Sequence, residues 1–231
     1  MSSVDTERRN PGWLRVLVVT GAVLAVLLVG ASVGLLIQLP DRDAAEPGPE
    51  SVAVGFSQDM SVHHRQGVLM AGVTRDSTTD LEIATLVYDI ETTQLEQLGR
   101  MQGWLSLWDA AALPTGKHMQ WMTTSGGGAA GGGHAGHGMA GGVEVMPGMA
   151  TPQELQQLEE ASGPAQDILF LQLMIRHHQG GTGMMEQAAE RAQVPQVRNL
   201  ASQMLTAQNA EVVAMTAMLA DRGAAPLPPP A

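Results

Sequence analysis

An internal repeat constrains the fold of this chain more than any other feature of its sequence. Residues 56–105 align with residues 170–219 without a gap, and 12 of these 50 pairs are identical. Seven of the identical pairs form one motif, Phe-x-Gln-x-Met-x-x-His-His-x-x-Gly-x-x-Met, which occurs once in each copy. Self-similarity at a fixed spacing indicates that one structural unit has been duplicated.

Each copy has the pattern of a helical hairpin, because its apolar residues recur at helical spacing rather than in alternation. The predicted helices cover residues 57–75, 80–109, 165–192 and 195–222. Residues 76–80 supply turn and N-cap chemistry, and Pro195 suits a first helical turn. Between the copies, Thr151-Pro152-Gln153-Glu154 predicts a capping box that opens a short helix to about residue 161. Two hairpins joined by one long crossover predict an all-α fold, a ferritin-like four-helix bundle.

The repeated motif concentrates imidazole and thioether groups on one helix face. At 100° per residue, its His, Gly and Met positions fall within about 120° of each other. If a pseudo-two-fold axis relates the hairpins, the two faces oppose each other and their side chains converge. We therefore predict these metal ligands: Met60, His63, His64, Met70, Met174, His177, His178 and Met184.

Imidazole with thioether is a ligand set for copper, since thioethers favour Cu(I) and imidazole binds either oxidation state. Zinc fits less well because Met is not among its usual ligands. A di-iron carboxylate site needs Glu-x-x-His pairs, whereas Met60 and Met174 stand three residues before the first His of each motif. The chain has no Cys, which excludes thiolate sites and disulfides.

The His pairs also have a structural interpretation, in which they only specify how the bundle packs. Four buried imidazoles would then need hydrogen-bond partners. Two carboxylates near the motifs, Asp59 and Glu186, could complete a ligand shell or orient an imidazole. Each of them fits a plain surface charge better.

A second collection of His and Met lies between the two copies. Part of it falls in residues 123–142, a Gly- and Ala-rich stretch that predicts a flexible loop. Such a loop could capture copper. Its affinity for copper would be low, because ordering the loop costs entropy. Alternatively, the segment is a plain linker. The candidate secondary ligands are His118, Met122, His134, His137, Met139, Met146 and Met149.

The N-terminal region predicts a membrane segment. Residues 16–37 carry no charge, and a helix of that length can cross a hydrocarbon core of about 30 Å. Arg8, Arg9 and Arg15 precede it, so the positive-inside rule keeps residues 1–15 cytoplasmic and exports the chain after residue 40. A cleaved signal peptide, which would release a secreted protein, fits less well because its apolar stretch is usually shorter.

The remaining boundaries follow from composition. We expect an anchor over residues 16–39, a linker over 40–55, a bundle over 56–223 and a Pro-rich tail over 224–231. With 12 basic and 23 acidic residues, the net charge of −11 argues against a nucleic-acid partner. The chain contains no phosphate loop, dinucleotide fingerprint or nucleophile elbow, so we predict no catalytic residues. A metal ion and the membrane are the expected partners, and a homo-oligomer or a copper-handling protein stays open.

The motif resembles that of an exported bacterial family, the domain of unknown function 305. The similarity is closest in Phe170-Leu-Gln-Leu-Met174-Ile-Arg-His177-His178-Gln-Gly-Gly181 and in the preceding stretch that starts at Met146. It spans about residues 54–222. The resemblance implies a ferritin-like four-helix bundle and, for some members, periplasmic copper binding and copper tolerance.

Three functional hypotheses follow from the sequence. The leading one is a membrane-anchored extracytoplasmic protein that sequesters or relays copper without turnover. The second is a structural or interaction module of the cell envelope. The third, a copper oxidoreductase, has no supporting residue beyond the ligands themselves.

Overall fold

The computed structural model describes residues 12–38, 46–124 and 141–230. Three of the candidate secondary ligands, His134, His137 and Met139, lie outside the described residues. The chain divides after Glu46 into an N-terminal unit and a larger helical domain, which we describe separately.

The N-terminal unit is one apolar helix, α1, which spans Gly12–Gln38. Its segment Arg15–Ser32 has a mean hydropathy of 2.2, and none of that segment is buried. Among the described helices, α1 is the one whose length and composition allow it to cross a membrane. A signal sequence at this position would have the same properties.

The described part of the helical domain, residues 47–124 and 141–230, contains four long helices and two short ones. They are α2 (Val52–Arg75), α3 (Leu81–Leu107), α4 (Trp121–Thr124), α5 (Pro152–Glu160), α6 (Pro164–Arg191) and α7 (Pro195–Asp221). Within the described residues, the extended backbone pairing is a single bridge between His118 and Val143. Each copy of the repeat forms one hairpin, α2 with α3 and α6 with α7, and the hairpins pack through α2 and α6. The predicted all-α bundle of two duplicated hairpins is confirmed.

Local capping determines where several helices begin. Asp80 accepts hydrogen bonds from the backbone N–H groups of Glu82 (2.9 Å) and Ile83 (3.3 Å), which caps α3. Thr151 and Glu154 form the expected capping box at the start of α5. Glu154 also pairs with both terminal nitrogens of Arg176 (2.8 and 2.6 Å), so the short helix is fixed against α6.

Helix α2 begins at Val52, five residues earlier than the sequence predicted, so the linker expected over residues 40–55 ends at Ser51. Val52 and Val54 are buried. A Cβ on Gly55 would lie only 2.3 Å from Cγ of Trp121. The crossover, the part of the chain between α3 and α6, therefore covers this first turn closely. The local pattern could not predict this, because the covering residue lies 66 positions further along the chain.

The core has two halves related by the repeat. The first half contains Phe56, Met60, Met101 and Met184, and the second contains their repeat equivalents Phe170, Met174, Met215 and Met70. Residues near the start of α2 therefore pack with residues near the end of α6, and the reverse holds in the other half. Helices α2 and α6 are thus antiparallel, as a pseudo-two-fold relation requires.

The backbone after each hairpin is fixed by an equivalent hydrogen bond. The side-chain amide of Gln58 donates to the Ala111 carbonyl at 2.8 Å, and that of Gln172 donates to the Ala225 carbonyl at 2.8 Å. The start of the Pro-rich tail consequently packs on the bundle, with Ala224 and Leu227 against the core.

The crossover passes so close to α6 that a side chain at Gly180 is excluded. A Cβ there would lie 2.1 Å from the Pro147 carbonyl oxygen and 2.6 Å from Cα of Gly148. Both contacts are with backbone, so the clash cannot be relieved by a side-chain rotation. At Gly183, in the same helix, a Cβ would meet nothing within 4 Å.

We therefore predict opposite effects for two identical substitutions in α6. Gly180→Ala should lower the free energy of unfolding by about 1–3 kcal/mol through overpacking. Gly183→Ala should raise it by up to about 1 kcal/mol, because Ala favours a helix over Gly. Urea unfolding followed by circular dichroism measures both, and equal effects would contradict the close crossover contact.

Candidate metal centre

The four motif histidines meet at the contact between α2 and α6. His63, His64 and His177 are fully buried, and His178 is 1% exposed. The rings of His63 and His177, which are equivalent in the repeat, stack with their centroids 3.7 Å apart and an interplanar angle of 30°. The convergence expected from the motif faces is therefore present for the imidazoles.

The second histidine of each pair is oriented by an equivalent residue of its own hairpin. Nε2 of His64 lies 2.7 Å from Oε1 of Gln97 in α3. Nε2 of His178 lies 2.5 Å from Oε2 of Glu211 in α7. Gln97 and Glu211 occupy the same position in the two copies, so the duplicated unit contains the histidine together with its orienting side chain.

These contacts determine the tautomers of three imidazoles. An amide oxygen, a carboxylate and, for His177, the His63 backbone carbonyl at 3.1 Å can only accept hydrogen bonds. Nε2 of His64, His177 and His178 must therefore carry the proton, and Nδ1 of each neutral ring keeps its lone pair. Second-shell acceptors of this kind commonly orient the histidines of metal sites.

Unpartnered buried nitrogen atoms mark this cluster. Nδ1 of all four histidines and Nε2 of His63 have no hydrogen-bond partner among the residues that the structure describes. Buried polar atoms normally find a partner, since leaving one unsatisfied costs about 1–3 kcal/mol. A cation bound to the lone pairs would remove that cost.

Burial holds the imidazoles in the neutral form that coordination requires. Desolvation lowers the pKa of His64 to about 4, against a raising effect of its hydrogen bond to Gln97. Desolvation, with repulsion from the neighbouring imidazoles, also lowers the pKa of His63 and of His177 well below the usual value. These three rings are therefore unprotonated near neutral pH.

The four motif methionines are fully buried and lie in the two core halves. Met60 and Met184 share one half, and Met70 and Met174 share the other. Met60 and Met174 stand one helical turn before the histidines, whereas Met70 and Met184 stand nearly two turns after them. The motif thioethers therefore lie on the same helices as the imidazoles, within about two turns of them in both core halves.

The motif glycines make room for neighbouring side chains. The ring of His63 lies against Gly181, where a Cβ would be 3.2 Å from its Cε1 atom. At Gly67 the space holds the amide of Gln94, whose oxygen would be 2.2 Å from a Cβ. Both polar atoms of that amide are buried without a partner among the described residues. We call the space beside each motif glycine a glycine notch. The two halves of the site therefore differ in which side chain fills this notch.

The imidazoles do not form a closed ligand cage. No three His, Asp or Glu side chains in the described ranges are grouped so that they could hold an ion. The donor chemistry nevertheless fits copper, because unpaired imidazole nitrogens and thioethers are the atoms that copper binds. A bound ion would be held by the motif histidines with help from the methionines.

The two carboxylates noted in the sequence have different environments. Glu186 is exposed, as expected for a surface charge. Asp59 is 1% exposed, so its interpretation as a surface charge is wrong. It accepts hydrogen bonds from the backbone N–H of Met119 (2.7 Å), from Nε1 of Trp121 (2.8 Å) and from Nδ1 of His118 (2.6 Å).

The secondary candidates that the structure describes lie on the crossover, whereas the motif histidines lie on α2 and α6. His118 is partly exposed and lines a cleft with Met146 and Met149. Met122 packs on the first core half and is not among the cleft residues.

Sequence reasoning missed the side chains that orient the imidazoles. Gln97 and Glu211 align at the repeat spacing, but they differ in residue type, and a search for identical pairs passes over them. Gln94 and Gln208 are an identical pair that lies outside the repeated motif.

The fold and this cluster define a class of protein, a duplicated helical-hairpin bundle with paired histidines at the contact between the two copies. The chain belongs to the DUF305 family, a domain of unknown function, whose model matches residues 53–219. No curated protein matches the sequence significantly.

Solved structures support the same family and fold. A DUF305 protein from Streptomyces coelicolor is 37% identical, with a TM-score of 0.67, over 78% of this chain and 99% of that one. A DUF305 fragment from Deinococcus radiodurans is 25% identical, with a TM-score of 0.58, over 77% and 99%. CopM in its Cu(II)-bound form is 22% identical, with a TM-score of 0.53, over 74% and 97%, and shares the fold.

The lowered histidine pKa values predict a loss of stability in acid. Below pH 6.5 the unfolded chain binds protons that the folded metal-free protein cannot, so the free energy of unfolding falls as the pH decreases. Each such imidazole contributes about 1.4 kcal/mol per pH unit, and for His64 this continues to about pH 4. His64→Gln removes one of these groups. The free energy of unfolding of this variant should therefore depend less steeply on pH between pH 6 and pH 4.5, by about 1.4 kcal/mol per pH unit. Urea unfolding at a series of pH values measures it, and parallel profiles for the two proteins would contradict the argument.

Proposed function

We propose that this protein binds copper in the core of its bundle and sequesters or relays the ion without catalytic turnover. The observation that carries the proposal is the set of buried imidazole nitrogens that lack partners while the opposite nitrogen of three rings is already hydrogen bonded. The ligands would be His63, His64, His177 and His178, supported by Met60, Met70, Met174 and Met184.

The protein supplies three properties to such a site. Burial keeps His63, His64 and His177 neutral, the orienting side chains direct protons away from Nδ1, and the motif thioethers favour Cu(I). Glu211 adds a negative charge beside His178, whereas the equivalent Gln97 is neutral. Because the donors are buried, loading requires a local opening of the bundle.

A protein of the same fold supports the choice of metal. CopM, which this chain matches at 19–22% identity with TM-scores of 0.52 and 0.53, has been solved with Cu(I) and with Cu(II). That likeness concerns the fold, so the proposed ligands depend on the geometry of this chain.

The proposed location is the extracytoplasmic side of the membrane. Arg8 and Arg9 precede the apolar helix α1 and Arg15 lies in its first turn, so its N-terminus would stay inside. The Streptomyces relative is named as a secreted protein, which agrees with export of the domain. Thioethers and imidazoles are suitable copper ligands there, since thiols oxidise in such compartments.

One observation favours the alternative of a structural module. The stacked His63–His177 pair joins the two hairpins, and the His64–Gln97 and His178–Glu211 contacts join the helices within each hairpin. Histidines that only specify packing would make these contacts and bind no metal.

Replacing all four histidines by Gln separates the two functions. The Gln amide nitrogen can replace the Nε2–H donor, while the Nδ1 lone pair is lost. We expect the full-length protein in detergent to lose the copper bound in its bundle core, seen as fewer equivalents of tightly bound copper, while helical content persists, as measured by copper titration and circular dichroism. A quadruple variant that folds and binds copper like the parent would contradict the proposal, and so would a parent that binds none.

A matched pair of methionine variants tests the thioethers without disturbing the imidazoles. Met60→Leu with Met174→Leu removes two motif thioethers, and Met101→Leu with Met215→Leu removes two other fully buried, repeat-related ones. The first pair should weaken Cu(I) binding at least tenfold, about 1.4 kcal/mol, and the control pair should not. Equal effects of the two pairs would exclude a specific thioether contribution.

The anchor predicts a defined topology and fractionation. A reporter enzyme that is active only outside the cytoplasm should be active when fused to the C-terminus, and the fusion should remain in the membrane fraction. Recovery of a shortened, soluble exported protein that begins near residue 40 would instead indicate a cleaved signal.

A further inference from the structure

We propose that a second Cu(I) site lies in the cleft between the crossover and α2, formed by Nε2 of His118 and the thioethers of Met146 and Met149. The three side chains line one cleft of about 280 Å³, whose other residues include Val62 and Gln66 of α2. The side chain of His118 is 21% exposed, so an ion can reach its ring from solvent, whereas Met146 is buried at the inner side of the cleft.

The orientation of His118 is the first argument for this site. Its Nδ1 lies 2.6 Å from Oδ1 of Asp59, which is buried and accepts two further hydrogen bonds through Oδ2. A carboxylate accepts only, so Nδ1 carries a proton, and Nε2 is the nitrogen that can bind an ion when the ring is neutral. No described residue is hydrogen bonded to Nε2. A carboxylate behind an imidazole is the arrangement that fixes metal-binding histidines and makes them stronger donors.

The ordered backbone around the cleft is the second argument. His118 and Val143 exchange backbone hydrogen bonds of 2.9 and 2.8 Å, which join the two sides of the crossover. Ala150 exchanges two hydrogen bonds with the side chain of Gln66, of 2.9 and 2.6 Å, and so attaches the segment that carries the methionines to α2. The backbone that carries the three ligands is thus fixed around the cleft, so little backbone entropy is lost when their side chains bind an ion.

The donor types select Cu(I). One imidazole and two thioethers form a soft, neutral set, which suits Cu(I) and is a poor set for zinc or other hard cations. The acidic residue in the cleft, Glu144, is paired with Lys117 at 3.0 Å and adds no free charge. None of its ligands belongs to the repeated motif, although Met146 and Met149 also pack on the first core half.

His118→Asn provides a sharp test. The Asn amide nitrogen can replace the Nδ1–H donor to Asp59, while the Nε2 ligand is removed. Cu(I) titration of the full-length protein in detergent, against a coloured Cu(I) chelator under reducing conditions, should show one equivalent fewer or at least tenfold weaker binding at one site. The combination of Met146→Leu with Met149→Leu should have the same effect. Met122→Leu, a methionine outside the cleft, is the matched control and should change nothing.

A second background distinguishes this site from the bundle site. In the protein whose four motif histidines are Gln, the cleft should still bind one equivalent of Cu(I), and His118→Asn should remove it. The number of sulfur neighbours of the bound copper, as measured by X-ray absorption spectroscopy, should fall when Met146 and Met149 are replaced by Leu. Unchanged stoichiometry, affinity and sulfur scattering in the cleft variants would overturn the proposal, whatever the outcome for the bundle site.

Discussion

The rest of the structure depends on the close contact between α2 and α6. Gly181 on α6 permits that contact, since the ring of His63 lies against it, and the neighbouring Gly180 admits the crossover backbone. The contact brings the two copies of one motif together, antiparallel, and excludes water from four imidazoles. The burial of the four rings, the lowered pKa values of His63, His64 and His177, and the unpartnered nitrogens all follow from this packing.

Burying four histidines is costly unless the arrangement has a use. Each ring that cannot be protonated lowers stability in acid, and each nitrogen without a partner adds a desolvation cost. The bundle offsets part of this by stacking His63 on His177 and by giving three rings an acceptor at Nε2. The remaining lone pairs are the chemical basis for the proposed copper site.

Duplication produced two half-sites that are similar but not identical. His64 is oriented by a neutral amide and His178 by a carboxylate, and one glycine notch holds an amide whereas the other holds an imidazole. The crossover adds a feature that has no equivalent in the repeat, since the position of Asp59 is occupied by Leu173 in the second copy. The hydrogen bond that orients the partly exposed His118 therefore comes from the first hairpin and has no counterpart in the second.

The sequence by itself determined the duplicated hairpins, the helix caps at Asp80 and Thr151, and the convergence of the motif histidines, because these follow from local periodicity and from the symmetry of a repeat. Tertiary structure decided the earlier start of α2 at Val52, the burial of Asp59, and the pairing of the imidazoles with Gln97 and Glu211. Each of these depends on a partner from another helix or from the crossover. The local sequence pattern does not predict such partners, because they become neighbours only when the hairpins pack against each other.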